Sequence, residues 1–190
     1  MRHQLRSALV MLAVFTVITG IIYPLLVTGI AQLVFNNQAN GSLIDKDGKK
    51  YGSELIGQEF RDPEYFWGRL SATSPSPYNA SASSGSNYGP LNPALRDGIE
   101  ARIKALKSYD PDNTLPIPVD LVTYSGSGLD PHISLAAALY QSHRVAKYRG
   151  TTEEKILTLI NKATEGRQFG ILGEPRVNVL LLNLALDNIL

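Results

Sequence analysis

An uncharged, apolar stretch lies near the start of this chain and decides which environment that part can occupy. No Asp, Glu, Lys or Arg occurs from Ser7 to Ile44, and residues 8–35 are almost wholly apolar. These residues, about 28 in number, would form a helix roughly 42 Å long, which exceeds the roughly 30 Å hydrocarbon core of a bilayer. We therefore predict a transmembrane helix over 8–35, preceded by a short segment at 1–7. Pro24 lacks a backbone N–H and is predicted to kink this helix.

Two other interpretations of the apolar stretch stay open on the sequence alone. Arg2 and Arg6 precede it, and Gly29-Ile30-Ala31 resembles the small-x-small cleavage site of a secretory signal. A core helix of a soluble protein is the second alternative. However, the stretch is longer than the core of a signal peptide and continues through residues 33–35. It also lacks the charged face that a helix of a small soluble domain carries. An uncleaved anchor is therefore favoured.

Charges on the two sides of the stretch predict its orientation. Arg2, His3 and Arg6 directly precede it, whereas the lysines that follow begin only at Lys46 and alternate with aspartates. Cytoplasmic flanks of membrane helices carry the excess of Lys and Arg. We therefore predict a cytoplasmic N terminus in the plasma (inner) membrane and an extracytoplasmic main domain at residues 36–190.

Helix and strand signals alternate after residue 36 and predict one mixed α/β (α+β) domain. Asn92 is suited to cap a helix that has Pro93 at its first position, and Gly150 is suited to end another. Thr151 and Glu154 have the spacing of a capping box. The predicted elements are a hairpin around 42–52 with its turn at Asp47-Gly48, a helix from Pro93, a strand at 117–124, helices at 134–149 and from Thr151, and a strand that runs into a terminal helix over 177–190.

Residues 68–93 are so rich in Ser, Gly, Asn and Pro that neither a helix nor a central strand is expected there. Such a composition is typical of a disordered linker. Aromatic residues offer an alternative, because they can pin an ordered loop to the domain surface. These aromatic residues are Tyr65, Phe66 and Trp67 at the entrance, and Tyr78 and Tyr88 within the segment.

Composition and spacing restrict the chemistry of the domain. The formal net charge is only +1, so the chain lacks the strong positive field that nucleic-acid-binding proteins present. The sequence contains no cysteine, which excludes disulfides and thiolate sites. Asp130, His132 and His143 match no metal-site spacing, so no metal centre is predicted. No Ser/His/Asp catalytic arrangement is evident either. The loop at 125–128 is either a plain strand-to-helix turn or a set of backbone amides that cradle an anion.

Nine sequence blocks follow one another along nearly the whole chain. They are YPLL at 23–26, QANGSLI at 38–44, GSELIGQEF at 52–60, YFWGR at 65–69, SGSN at 84–87, NPAL at 92–95, PVDLVTYSGSGLDPHIS at 118–134, RVAKYRG at 144–150 and GEPRVNVLLLNLALD at 173–187. Together these blocks resemble one family, the C subunit of the bacterial Kdp potassium-transporting ATPase (KdpC). Many blocks in one register are specific, although any single block would be weak. Two positions depart from the family pattern, since the family usually has Pro where Leu70 and Leu135 stand.

The resemblance implies a non-catalytic accessory subunit with one transmembrane helix and an extracytoplasmic α/β domain. Its implied partners are the potassium-binding A subunit, the P-type ATPase B subunit, the small F subunit and the lipid bilayer. The family is described as a catalytic chaperone that raises the ATP affinity of the pump subunit, so ATP is the one ligand implied. The nucleotide contacts implied on this sequence are Ser125, Gly126, Ser127, Gly128 and Gln141.

The predicted topology favours a different mechanism. ATP is cytoplasmic, so an extracytoplasmic domain would influence its binding only through coupling along the membrane helix. The alternative is a cap over the external mouth of the potassium-binding subunit, with Tyr65, Phe66, Trp67 and Tyr78 as candidate docking anchors. A stand-alone, membrane-anchored hydrolase that uses a loop serine is a third, remote hypothesis.

Overall fold

The computed structural model describes residues 2–189, and the chain divides into two compact units, with the boundary in sequence between Leu43 and Ile44. The first unit is helical. Its elements are α1 (Arg2–Val17), a π-helical segment (Ile18–Ile22), α2 (Tyr23–Val34) and α3 (Asn36–Ala39). Gln4–Val34 forms 31 continuous helical residues with a mean hydropathy of 2.4, and its most apolar part is not buried. The predicted apolar helix, long enough to cross a membrane, is therefore confirmed.

The π-helical segment ends two residues before Pro24, the residue at which the sequence predicts a kink. Proline has no N–H to donate to the carbonyl four residues earlier, at Gly20. Gly20 lies inside the π-helical segment, and at the end of this segment the Tyr23 N–H bonds to the Ile18 carbonyl, five residues back. A wider turn of this kind accommodates a missing i to i−4 bond without breaking the helix.

The second unit combines helices with two small antiparallel sheets. Strands β1 (Leu43–Lys46) and β2 (Lys49–Ser53) form the predicted hairpin, with Asp47 and Gly48 at positive φ in its turn. Strands β3 (His132–Ser134), β4 (Thr164–Glu165) and β5 (Arg176–Asn178) form a sheet in the order β3-β5-β4, with Ile133 opposite Val177. The helices are α4 (Pro93–Tyr109), α5 (Val119–Val122), α6 (Leu135–Arg149), α7 (Glu153–Ala163) and α8 (Val179–Leu186).

Polar caps fix where three of these helices begin. The side chains of Asn92, Ser134 and Asn178 accept hydrogen bonds from backbone N–H groups in the first turns of α4, α6 and α8. Gly150 ends α6 at φ +62°, which favours glycine. The main core lies where these helices meet the three-stranded sheet, and it contains Phe66, Trp67, Leu106, Leu121, Ile133, Val145, Ile156, Ile160, Val177 and Leu182.

The predicted strand at 117–124 is wrong, because its centre forms the short helix α5. Pro118 has the extended conformation of a helix N-cap, and Leu121 and Val122 are both buried, whereas a strand would place neighbouring side chains on opposite faces. Only Tyr124 keeps a strand-like contact, an isolated parallel bridge to Leu70.

The predicted capping box at Thr151 and Glu154 is also wrong. The N–H of Thr151 donates to the carbonyl of Ala146, so this residue still belongs to the turn that ends α6. Helix α7 begins two residues later, after Thr152, which makes no side-chain cap bond.

Candidate functional site

The loop at 125–128 contacts the segment 68–93, so two of the candidate regions lie next to each other. Gly126 and Ser127 are exposed, whereas Ser125 and Gly128 are buried. The Ser125 hydroxyl has no hydrogen-bond partner among the described residues. The bonds between the two regions are Ser125 N to Leu70 O at 3.0 Å, Ser84 N to Ser127 O at 2.9 Å, Ser83 Oγ to Ser127 O at 3.0 Å and Ser71 Oγ to Gly128 O at 2.7 Å. Just before the loop, the Leu70 N–H also donates to the Thr123 carbonyl at 3.3 Å.

Main-chain atoms of the two regions also approach closely. A β-carbon added to Gly85 would lie 2.6 Å from the carbonyl oxygen of Gly126. Gly128 has φ +69°, and a β-carbon there would lie 2.6 Å from the Ser84 carbonyl oxygen. These contacts leave no room for side chains, which explains glycine at both positions.

Segment 68–93 forms an ordered loop and not a disordered linker. The Ser71 hydroxyl accepts a bond from the Tyr78 N–H at 2.9 Å, and the Thr73 hydroxyl accepts one from the Asn79 N–H at 2.9 Å. The Tyr78 hydroxyl donates to the Arg69 carbonyl at 2.6 Å. Burial raises the pKa of Tyr78 to about 12, so this phenol stays a neutral donor at physiological pH.

Two buried amide side chains hold the chain at Phe66 and Trp67. Gln141 accepts a bond from the Trp67 N–H at 2.9 Å and donates to the Trp67 carbonyl at 3.2 Å. Asn183 bonds to both backbone groups of Phe66 in the same way, at 2.9 and 3.0 Å. We call this pair of amides the amide clamp. It satisfies the backbone of an irregular segment inside the core, where unpaired polar groups are costly.

Two arginines stack on the indole of Trp67. The guanidinium carbons of Arg102 and Arg144 lie 4.7 and 4.4 Å from its ring centroid. Arg102 donates to the carbonyls of Leu121 and Gly68, and Arg144 donates to those of Pro63 and Tyr65. Burial lowers the pKa of both arginines to about 10, so both remain cationic at neutral pH. A cavity of about 320 Å³ opens beside Arg102 and Trp67.

The predicted nucleotide contact at Gln141 meets an obstacle in this arrangement. Its side chain is 1% exposed, and besides the Trp67 bonds it accepts one from Arg144 at 2.6 Å and donates to the Ala137 carbonyl at 3.2 Å. These bonds use the hydrogen-bonding capacity of the amide. A ligand would reach Gln141 only by displacing part of the core.

Two of the four predicted docking anchors are corrected. Phe66 and Trp67 are 0% and 3% exposed, so they belong to the core and present no surface to a partner. Tyr65 and Tyr78 remain partly exposed. The Tyr65 hydroxyl donates to Asp187 at 3.0 Å, and burial is the main reason that its pKa is raised.

Sequence reasoning missed Asn183, Arg102 and Arg144, on which the Phe66–Trp67 segment depends. The available signal was a polar residue at a buried position. Asn183 interrupts the apolar run VLLLNLAL of α8, and such a residue needs a partner in the core.

The candidate metal ligands do not come together. His132 lies 3.6 Å from Asp130, whereas His143 is bonded to the buried Asp110 at 2.7 Å. Among the described residues, no group of three or more His, Asp or Glu side chains is arranged to hold a metal ion.

Comparison with known proteins decides the family. The family model described as "K+-transporting ATPase, c chain" (KdpC) matches residues 5–188. The chain belongs to the KdpC family. The potassium-transporting ATPase KdpC subunit of Methylococcus capsulatus is 64% identical over 187 residues, which cover 98% of each chain. That of Herpetosiphon aurantiacus is 64% identical over 189 residues, covering 100% of this chain and 98% of the relative.

A third KdpC subunit, from Dechloromonas aromatica, is 61% identical over 189 residues, covering 100% of this chain and 99% of the relative. The resemblance drawn from the sequence blocks is therefore confirmed. The matched region, residues 5–188, covers nearly all of the apolar helix and of the α/β domain.

Proposed function

We propose that this chain is a non-catalytic accessory subunit of a potassium-transporting ATPase that contributes to assembly and caps the external side of the complex. In this proposal residues 1–7 are cytoplasmic, the helix at 8–35 anchors the chain in the plasma (inner) membrane, and residues 36–190 are extracytoplasmic. The partners are the potassium-binding A subunit, the P-type ATPase B subunit and the F subunit. Family membership and the apolar helix support it.

Burial of Gln141 is the observation that carries the choice between a cap and a direct nucleotide site. The amide is 1% exposed and bonded to Trp67 and Arg144. In the loop at 125–128, Ser125 is 2% exposed, and the Ser127 carbonyl is occupied by Ser84. A role in raising the ATP affinity of the pump subunit is therefore better placed in coupling along the anchor helix than in direct contact.

Gly126 offers a direct test, because it is exposed and an added β-carbon would meet no atom within 4 Å. Gly126→Asp places a carboxylate in the loop that would face the phosphates of a bound nucleotide, and Gly126→Ala is the matched control. The measurement is the ATP concentration that gives half-maximal ATPase activity of the purified complex. We expect the same value for both variants. A tenfold higher value for Gly126→Asp alone would instead support a nucleotide site on this subunit.

A further inference from the structure

The cavity of about 320 Å³ beside Arg102 and Trp67 lies wholly within the second unit. Aromatic and aliphatic side chains, Trp67 and Ala105 among them, form most of its uncharged wall. Sites for small organic molecules have this composition, in which a few polar groups orient a ligand that apolar groups surround. The charged side chains of the wall are Glu59, Arg61, Arg69 and Arg102.

Arg102 is a largely buried cation without a carboxylate partner. Its Nε and Nη2 atoms donate to the carbonyls of Leu121 and Gly68, at 3.1 and 2.7 Å. Among the described residues its third nitrogen, Nη1, donates no hydrogen bond, and the guanidinium forms no ion pair. Arg144, on the same indole, adds a second positive charge and also bonds only to carbonyls and an amide. Buried charges are ordinarily paired with an opposite charge.

The other charges of the cavity wall compensate one another. Glu59 is paired with Arg61 at 2.8 Å, and Arg69 donates to the Asp130 carboxylate at 3.2 Å. The buried Nε of Arg69, however, has no hydrogen-bond partner among the described residues. The wall therefore keeps an uncompensated positive charge on Arg102 and an unused buried donor on Arg69. Both features favour an anion that accepts hydrogen bonds.

We propose that this cavity binds a small organic monocarboxylate, with its carboxylate toward Arg102 and its apolar body against Trp67. Guanidinium and carboxylate form charge-assisted hydrogen bonds, and a monoanion matches the uncompensated charge of Arg102. The cavity volume lies at the lower end of the roughly 300–1,000 Å³ that ligand pockets span, which suits a small organic molecule. The inference does not depend on the proposed function, because every residue involved belongs to the second unit.

Trp67 gives a direct readout of binding, because it lines the cavity and the chain contains no other tryptophan. The full-length chain in detergent is titrated with benzoate and, separately, with benzamide, a neutral molecule of nearly the same shape, while Trp67 fluorescence is recorded. We expect saturable binding of benzoate with a dissociation constant below about 10 mM, at least about tenfold tighter than that of benzamide. Any other result overturns the proposal.

Filling the cavity tests where benzoate binds. Ala105→Leu adds volume to the cavity wall and leaves every arginine in place. Ala101→Leu is the matched control, because Ala101 is exposed on the same helix and does not line the cavity. We expect benzoate affinity to fall at least about tenfold for Ala105→Leu and to stay unchanged for the control. Equal affinity of Ala105→Leu and the wild type would place the ligand elsewhere and overturn the proposal.

The exposed pair Glu59 and Arg61 tests the role of charge without disturbing Arg102, which holds two backbone carbonyls. Glu59→Gln removes a negative charge from the cavity wall, so benzoate should bind about threefold more tightly. Arg61→Gln leaves Glu59 unpaired, so benzoate should bind about threefold more weakly. Benzamide affinity should change in neither variant. Shifts of benzoate affinity in the same direction, or no shift, would contradict recognition of the carboxylate by charge.

Discussion

Gln141 connects α6 to the irregular segment that contains Trp67 through hydrogen bonds. Its replacement should therefore lower the free energy of unfolding. Gln141→Leu preserves the volume but leaves the Trp67 N–H and one Arg144 nitrogen without their acceptor. Since each buried unpaired donor costs about 1–3 kcal/mol, we expect a loss of about 2–5 kcal/mol in the free energy of unfolding. The measurement is urea denaturation of the full-length chain in detergent.

The control for this prediction is Lys147→Leu on the same helix, where the side chain is exposed. It should change the free energy of unfolding by no more than about 0.5 kcal/mol. If Gln141→Leu denatures at the same urea concentration as the wild type, the amide clamp contributes nothing to stability. A direct role for Gln141 in ligand binding would then regain support.

The sequence identified Gln141 and Trp67 as residues of interest but not the bonds between them. They are 74 positions apart, and no local pattern states which backbone groups a distant amide will satisfy. The aromatic cluster at 65–67 is compatible with both a surface anchor and a core segment, because large aromatic residues occur in both places. Tertiary packing decides for the core at Phe66 and Trp67.

The ordered segment 68–93 depends on close contact between two irregular pieces of main chain, and glycine substitutions can test this. Gly85→Ala would place a methyl group 2.6 Å from the Gly126 carbonyl oxygen, and two backbones must then move apart. We expect a loss of about 1–3 kcal/mol in the free energy of unfolding. We also expect faster protease cleavage within 68–93, measured by limited proteolysis and mass spectrometry.

Gly89→Ala is the matched control in the same segment, because an added β-carbon meets no atom within 4 Å there. Its cleavage pattern should equal that of the wild type. Equal cleavage of all three proteins would mean that the contact with the loop at 125–128 does not order the segment in solution.

Elements with local signals were predictable, and elements set by tertiary contacts were not. Asn92 and Ser134 satisfy helix N-termini next to them in sequence, and the hairpin turn at Asp47-Gly48 has its own backbone preference. The helix α5 is different. The Asp120 carboxylate in its first turn accepts hydrogen bonds from the backbone N–H and the hydroxyl of Ser134, 14 residues away. The alternation of apolar residues in the sequence does not indicate that contact.

In the proposed topology, the apolar helix and the domain together determine how this chain would affect ATP binding. A domain outside the membrane and a nucleotide inside it are coupled only if some element between them has two arrangements whose balance both sites bias. The anchor helix is the only segment that the proposed topology places across the bilayer. Its π-helical segment at Ile18–Ile22 interrupts the regular bonding pattern, and interruptions of this kind are frequent at functional positions.

The proposed topology can be tested in the full-length chain with single cysteines, because the chain contains none of its own. Leu115→Cys places a thiol at an exposed position of the domain, and Gln4→Cys places one in the N-terminal segment. A membrane-impermeant maleimide applied to intact spheroplasts should label Leu115→Cys at once and Gln4→Cys only after permeabilisation, because the charged reagent does not cross the bilayer. The opposite pattern would reverse the orientation and bring the domain into contact with cytoplasmic ATP. A labelled domain that is released from the membrane without residue 4 would show that the apolar helix is a cleaved signal, in which case no anchor remains to couple the domain to the pump.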